Sequence, residues 1–368
     1  MTEPAAPATV FRLTRPFRIE PFEEPTPELG PESLLLRPTR SGICGSDLKL
    51  YTGTRERTAM LRKLPIALLH ETLAEVAATG PGSAFSPGDR VVPSPNVPCT
   101  VAFPERHPTP ESACPACRPG GAGENYCTDG LFLSSNVDGM ARTTFVHPEA
   151  CTVRLPEGVS EAIAVLTEPL ATVLAGLQQA AAAPGSRFLV LGNGALGILT
   201  VIALRTVLGA RADQIVVTGH RWDARASALD DLATLVEDDG GEPADTLAGR
   251  VDVAFECVGG DSNEQTLAVA IAMLRPGGTA VLFGPSEAPL LFDTRNVIAK
   301  GLRLVGCNRA LLRHFSAALE LASRPDVAAL LERALAPKEF TVRDANDLDD
   351  AFYYAWTKDD AGRAVTVW

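Results

Sequence analysis

Positive charge is in short supply in this chain. Its 33 lysines and arginines stand against 45 aspartates and glutamates, a formal net charge of −12. That balance excludes nucleic acid and anionic membrane surfaces as general partners. A small anionic substrate stays compatible, because a local basic pocket can exist on an acidic protein. A basic leader followed by an apolar run is missing too. The first residues read MTEPAAPATV, so no secretory signal is expected. The only uncharged stretch of membrane-like character, Phe188–Leu204, contains Gly192, Asn193, Gly194 and Gly197. It reads as a buried strand, a turn and a helix rather than as a span. Internal repeats are absent, and only the first few residues are biased, toward Pro and Ala. Eight cysteines without an export signal point to a reducing, cytoplasmic setting, where metal ligation is favoured over disulfides.

What is present suits two domains. The 368 residues exceed the usual size of one core, and 46% hydrophobic and 21% charged residues are ordinary for a globular chain. Up to about Pro156 the pattern is β-rich. Short apolar runs such as Ser33–Leu36 and Leu73–Ala77 alternate with Pro and Gly, and Gly88 opens a turn into a strand. From Pro93 to Asp129 the chain is rich in Pro, Gly and Cys and has no period. A stretch that long needs a reason to be ordered, and a metal supplies one. From Ser160 the pattern changes. Ser160–Ala182 is Ala/Leu-rich and helical, with Ser160 as its N-cap. Strands are then expected at Phe188–Leu191, Ile215–Thr218, Val251–Glu256, Ala280–Phe283 and Leu302–Gly306, alternating with helices. That order predicts an α/β fold with a parallel doubly wound sheet. The tail carries a helix near Phe315–Ala322 and a closing strand, Ala364–Trp368.

The run Gly192-Asn193-Gly194-Ala195-Leu196-Gly197 lies between an expected strand and an expected helix. Its first glycine permits the tight turn, its second lets backbone approach a pyrophosphate, and its third lets helix and strand pack closely. The following strand ends near Thr218, where a carboxylate would bind a ribose diol. Here the chain reads Gly219-His220-Arg221, with Arg225 following. Cations stand where a 2′-phosphate would lie, so NADP(H) is expected over NAD(H); the plainer reading is a solvated helix start capped by Asp223. Two metal sites are also expected. Cys44, His70 and a carboxylate, Glu71 or Glu168, make a zinc set with a position left open for chemistry. Cys114 and Cys117, flanked by Cys99 and Cys127, make a closed structural set. Cys151 and Cys307 read as small buried apolar residues.

Taken together, SGICGSD (Ser41–Asp47), LLHE, GDRVVP, the cysteine lobe, LTEPLA (Leu166–Ala171), GNGALG, FECVGG and GRAVTVW resemble the zinc-dependent medium-chain dehydrogenase/reductase family across nearly the whole chain. The resemblance implies a GroES-like catalytic domain from residues 1–159 and 301–368, with a Rossmann dinucleotide-binding domain, 160–300, between them. It implies Cys44, His70 and Glu168 as catalytic zinc ligands, Glu71 as a fourth or alternating one, and Ser46 as the hydroxyl relaying the substrate proton. Asp47 becomes a supporting residue paired with Arg363. Arg363 is placed near the cofactor phosphates, and Cys257, Val258, Gly259 and Asn308 border the cofactor. Glu168 in TEPLA is similar to the sorbitol-dehydrogenase type of site. A homodimer or homotetramer is implied, pairing through the sheet edge near Ala280–Phe283.

A closer subset is suggested by YTGTRERTAMLRKLPIALLHE, by FECVGG and by the run 283–306. These look like the ribulose-5-phosphate reductases, which use NADPH. Tyr51, Arg55, Arg57 and Lys63 then become residues for a sugar-phosphate substrate. The four-cysteine lobe departs from that subset, so a keto-sugar or keto-aminocyclitol reductase of antibiotic biosynthesis is the runner-up. A zinc-free quinone or enoyl reductase, or a non-catalytic cofactor-binding protein, is disfavoured by the retained Cys44, His70 and Glu168.

Overall fold

The computed structural model describes residues 7–220, 225–237 and 248–368. Arg221 and Asp223 lie outside the described residues. Two large sheets organise the chain. The first has its strands in the order Thr152–Arg154, Arg90–Pro93, Glu71–Thr79, Ser33–Gly42, Arg363–Val367 and Leu335–Thr341. Phe145–Pro148 adds alongside the start of Ser33–Gly42. The closing strand thus returns from the far end of the sequence to pair with Ser33–Gly42, Val365 opposite Gly42. A smaller sheet joins Arg18–Glu24, Ala8–Arg15 and Ile66–Ala67. Its Leu13 and Ile66 share a core with Leu348 and Phe352 of the helix Ala345–Thr357.

The second large sheet is wholly parallel. Its order is Thr234–Glu237, Ile215–Gly219, Phe188–Leu191, Val251–Glu256, Leu274–Leu282 and Arg303–Gly306. Ile215–Gly219 and Thr234–Glu237 lie on one side of the first strand, Phe188–Leu191, and Val251–Glu256, Leu274–Leu282 and Arg303–Gly306 on the other. The order reverses between Phe188–Leu191 and Val251–Glu256, and ligands bind at such a switch point, beyond the carboxyl ends of the strands. The residues that follow those two strands, Gly192 and Cys257, therefore face one crevice. Burial on both faces explains the unbroken apolar runs, such as Phe188–Leu191, all of whose residues are buried.

Two expectations need correction. Ala280–Phe283 is not at the sheet edge: Leu274–Leu282 is an inner strand, and Arg303–Gly306 is the edge. The helix from Ser160 is also not continuous. Ser160 caps a short helix, Glu161–Ala164, by accepting from the Ala162 N–H at 3.3 Å, and a second helix runs Thr167–Ala180. Pro169 has no N–H to return to the previous turn, so a helix through it would lose a hydrogen bond; in the first turn of a new helix it loses none. No described helix is long and apolar enough to cross a membrane.

Candidate active site

The break at Pro169 matters because it places Glu168 in the first turn of a helix aimed at the first large sheet. Across from it, strands Ser33–Gly42 and Glu71–Thr79 end side by side, with Gly42 opposite Glu71. Cys44 follows the first strand as N-cap of the helix Gly45–Tyr51. His70 and Glu71 open the second. The candidate ligand atoms of Cys44, His70 and Glu71 lie within 4.8 Å of one another. Glu168 lines the same cavity but stands outside that tight trio.

The surroundings orient this set. His70 Nδ1 lies 2.7 Å from Ser134 Oγ and 3.3 Å from Asp47 Oδ2, which leaves Nε2 for a metal. Ser134 donates to Asp47 Oδ1 at 3.0 Å. Burial disfavours the charged imidazole, but Asp47 and Cys44 outweigh it and hold His70 well above its ordinary value. Asp47 was expected to pair with Arg363; the ion pair is instead Arg363 Nε to Glu71 Oε2, 2.8 Å. Gly42 makes room for it, since a Cβ there would sit 2.6 Å from that same carboxylate oxygen. Burial pushes the Glu168 carboxyl up to about 7, with Glu71 adding to the shift and His70 and Arg363 opposing it.

This donor set fits a divalent cation. Cys44, Asp47, Glu71 and Glu168 all act on the buried Arg363 and raise it against its burial. Deprotonated, these groups carry more negative charge than Arg363 and His70 offset, and a buried surplus of one sign is unfavourable without a counter-ion. Thiolate, imidazole and carboxylate are zinc ligands.

The second cluster is closed. Cys99, Cys114, Cys117 and Cys127 bring their sulfurs within 4.8 Å of one another, and none forms a disulfide. Cys99 N–H donates to Cys127 Sγ at 3.3 Å. Burial raises the Cys114 thiol, but N–H groups from Thr128, Cys117 and Ala116 outweigh this and bring it down to about 6. Four thiols, one held toward thiolate by backbone donors, suit a tetrahedral structural zinc.

The glycine-rich turn opens the helix Ala195–Val207, with Gly194 as N-cap. A Cβ at Gly197 would sit 1.9 Å from Gly192 O, whereas one at Gly194 would meet nothing within 4 Å. Glycine at 197 is required by the protein's own packing, whereas no protein atom requires one at 194. Asn193 is a strut rather than a spacer. Its Nδ2 donates to His220 O at 2.6 Å, and its Oδ1 accepts from Arg225 at 3.2 Å. The turn is thereby tied to the end of Ile215–Gly219, where no carboxylate stands between Gly219 and His220. On the other wall, Glu256, which the sequence reading missed, accepts from the N–H groups of Val258 and Gly259 at 2.8 and 3.1 Å and fixes the turn after its strand. The FECVGG pattern was the available signal.

Metal trio and glycine-rich turn meet in one cavity of about 360 Å³. Ser46, Gly194, Ala195 and Leu196 line it, as do Cys257, Val258, Gly259, Asn308 and Arg363. Of the expected substrate residues, Arg55 and Lys63 line it. Tyr51 and Arg57 do not. Tyr51 is buried in the core against Phe352 and donates to Asp349 O at 3.2 Å, while Arg57 is exposed at the start of the helix Arg57–Lys63. Lys49 and Arg309, which no motif singled out, line the cavity too.

A Rossmann crevice opening onto a cysteine–histidine–carboxylate set fits a metal-dependent dehydrogenase. Residues 30–157 match the alcohol dehydrogenase GroES-like domain, and residues 195–324 match the zinc-binding dehydrogenase family. The chain is 32% identical over 343 residues to ribulose-5-phosphate reductase of Bacillus spizizenii, covering 92% of each chain. It is 29% identical to ribulose-5-phosphate reductase 2 of Staphylococcus aureus, over 87% of each. The crystal structure of S. aureus TarJ in complex with NADPH matches with a TM-score of 0.78 at 25% identity, covering 98% of this chain and 99% of that one. The chain belongs to the zinc-dependent medium-chain dehydrogenase/reductase family, and it is an oxidoreductase of the alcohol dehydrogenase type.

Proposed function

We propose that the chain uses NADPH to reduce the ketone of a sugar phosphate, with ribulose 5-phosphate going to ribitol 5-phosphate as the leading reaction. The observation that carries the substrate class is the basic wall of the metal-facing cavity, where Lys49, Arg55, Lys63 and Arg309 gather on a protein that is acidic overall. The names of the relatives support the particular sugar. A cationic aminosugar suits that wall poorly, so the antibiotic-biosynthesis reading loses ground. NADP(H) preference rests on the lack of a carboxylate at Gly219 and His220, on Arg225 beside Asn193, and on the NADPH held by the matched TarJ structure.

In this reading Cys44, His70 and Glu168 hold a catalytic zinc, Glu71 serves as an alternating ligand, and Cys99, Cys114, Cys117 and Cys127 hold a structural one. Zinc at the first site supplies Lewis acidity to the substrate oxygen and NADPH supplies the hydride. Asp47 and Ser134 keep His70 in one orientation. Ser46, on the cavity wall beside Cys44, passes a proton between solvent and the substrate oxygen. The Gly192–Gly197 turn receives the pyrophosphate, His220, Arg221 and Arg225 the 2′-phosphate, and Cys257, Val258 and Gly259 border the nicotinamide. The dinucleotide domain begins near residue 160 and takes in the edge strand Arg303–Gly306, past the expected limit of 300, while residues 1–159 and the chain beyond that strand form the catalytic domain. A homodimer or homotetramer assembles through the sheet edge, here Arg303–Gly306, in the cytoplasm.

The deciding experiment follows NADPH oxidation with D-ribulose 5-phosphate, D-ribulose and a panel of unphosphorylated keto-sugars. Turnover led by the phosphorylated ketose is expected. Preference for an unphosphorylated ketone would overturn the substrate; turnover with NADH in place of NADPH at an equal or higher rate would overturn the cofactor.

A further inference from the structure

The cations of the cavity are not equivalent. Lys49 and Arg55 share Glu287, at 3.2 and 3.7 Å, and Lys49 also donates to Pro285 O at 2.9 Å. One carboxylate thus answers part of their combined charge. Lys63 and Arg309 line the same cavity, yet neither ion-pairs with a carboxylate among the described residues. Lys63 Nζ donates to Ser135 Oγ at 3.1 Å. Arg309 donates to Asn96 Oδ1 at 3.3 Å, with its guanidinium carbon 4.4 Å from the centre of the Phe132 ring.

These supports have a common origin. Phe132 and Ser135 belong to one turn, and between them Ser134 touches His70 at 2.7 Å. The two cations come from opposite halves of the chain: Lys63 ends the helix Arg57–Lys63, and Arg309 follows the last parallel strand, Arg303–Gly306. Both are half-buried. Burial lowers the Lys63 ammonium, and Arg55 and Arg309 lower it further against the opposing pull of Glu287 and Asp47; burial lowers Arg309 as well. Like charges brought together in a partly dry wall favour an anion between them.

We propose that Lys63 and Arg309 form a two-sided clamp for the substrate's phosphate, held by the Phe132–Ser135 turn at a set distance from the metal ligand His70. The proposal rests on the phosphorylated-ketose reading above. A phosphate monoester carries a charge of about −1.5 to −2 at neutral pH with three acceptor oxygens. The guanidinium offers a planar fork to two of them and the ammonium a point charge to the third. Because the same turn supports the clamp and His70, phosphate binding would set where along the sugar the reacting carbonyl lies.

The test compares kcat/KM for D-ribulose 5-phosphate and for D-ribulose in the zinc- and NADPH-loaded enzyme, and inhibition by inorganic phosphate, in the wild type, Lys63→Gln, Arg309→Gln and Arg309→Lys. Each Gln variant is expected to lower the ratio of the two specificities roughly ten- to a hundredfold, the range for one lost hydrogen bond to a charged group. Phosphate inhibition should weaken by a similar factor, and Arg309→Lys should recover part of the ratio. A wild type that prefers the phosphorylated ketose while both Gln variants keep its ratio refutes the clamp and leaves the substrate reading standing. A wild-type ratio near one overturns the substrate reading, and the clamp with it. NADPH binding by fluorescence checks folding. Should Arg309→Gln fail it, Lys63→Gln, at the end of a short outer helix, decides alone.

Discussion

One hydroxyl orders the metal end of the cavity. Ser134 joins Asp47 to His70 and does so with φ at 63°, in the left-handed region that a side chain with a Cβ enters at a cost of about 1–2 kcal/mol. Such strain persists where the surroundings impose it. Ser134→Ala keeps the Cβ and removes only the hydroxyl, so the fold should survive. Loss of a supporting partner to a metal ligand costs about ten- to a hundredfold in metal affinity. Zinc retained after dialysis against a graded chelator should fall accordingly; an unchanged retention curve would show that Asp47 orients the ring without help. Ser134 was invisible in the sequence because its partners lie 64 and 87 residues away and no motif surrounds it. Cys44, His70 and Glu71 were legible because their residue types are rare in such contexts and their chemistry is specific. Another residue sets an acid limit. His147 is fully buried, and burial pushes its imidazole down to about 4. The neutral ring is favoured in the folded chain. The stability it supports is complete above the unfolded value of about 6.5 and is lost as pH falls from there through about 4. The contribution is on the order of 3 kcal/mol at most. Melting temperature should drop between pH 7 and pH 5, and His147→Gln should flatten that slope.

At the scale of elements, the glycine-rich turn separates two reasons for glycine that a motif treats alike. Gly197→Ala places a methyl 1.9 Å from Gly192 O, so the turn must open and the variant should melt lower even without cofactor. Gly194→Ala meets no protein atom within 4 Å. It should melt as the wild type does, yet bind NADPH more weakly, because the methyl occupies space the pyrophosphate needs. Melting curves with and without NADPH tell the two apart, and equal NADPH stabilisation of Gly194→Ala and wild type would remove the pyrophosphate from that spot. The parallel strands were read almost to the residue at Phe188–Leu191 and Val251–Glu256, since strands buried on both faces are short apolar runs with sharp ends. Helix content was less legible at Ser160–Ala182. Composition there is uniformly helical, and the break depends on one missing N–H at Pro169. The strand Leu274–Leu282 begins well before the apolar run Ala280–Phe283, because its first turn of sequence, Arg275-Pro276-Gly277-Gly278, carries no strand signal of its own.

At the scale of the molecule, the two candidate metal clusters differ in exposure to the cavity, and that difference should be measurable as lability. The trio of Cys44, His70 and Glu71 opens onto the cavity, through which a chelator can reach it. The four-cysteine lobe has Cys99, Cys114 and Cys127 buried and opens onto no substrate space. It is also a strut between the halves of the chain. Tyr126 donates to Gly306 O at 2.9 Å and is bonded to Gln179, Asn125 donates to Arg309 O at 3.4 Å, and Asn96 accepts from the Arg309 side chain. A metal bound at the lobe would therefore support the dinucleotide sheet edge and the cavity wall together. Mild chelation should remove about one zinc per chain, abolish turnover and leave melting and NADPH binding nearly intact; Cys44→Ser should behave the same way without chelator. Stronger chelation, or Cys114→Ser, should remove the remaining zinc and lower the melting temperature, because folding of the lobe is coupled to its metal. If Cys114→Ser melts as the wild type does and still holds two zincs per chain, the lobe is not a metal site and its thiols are merely packed. If mild chelation empties the lobe before the trio, the order of exposure derived from the cavity is wrong, and the catalytic metal is held more tightly than an open site implies.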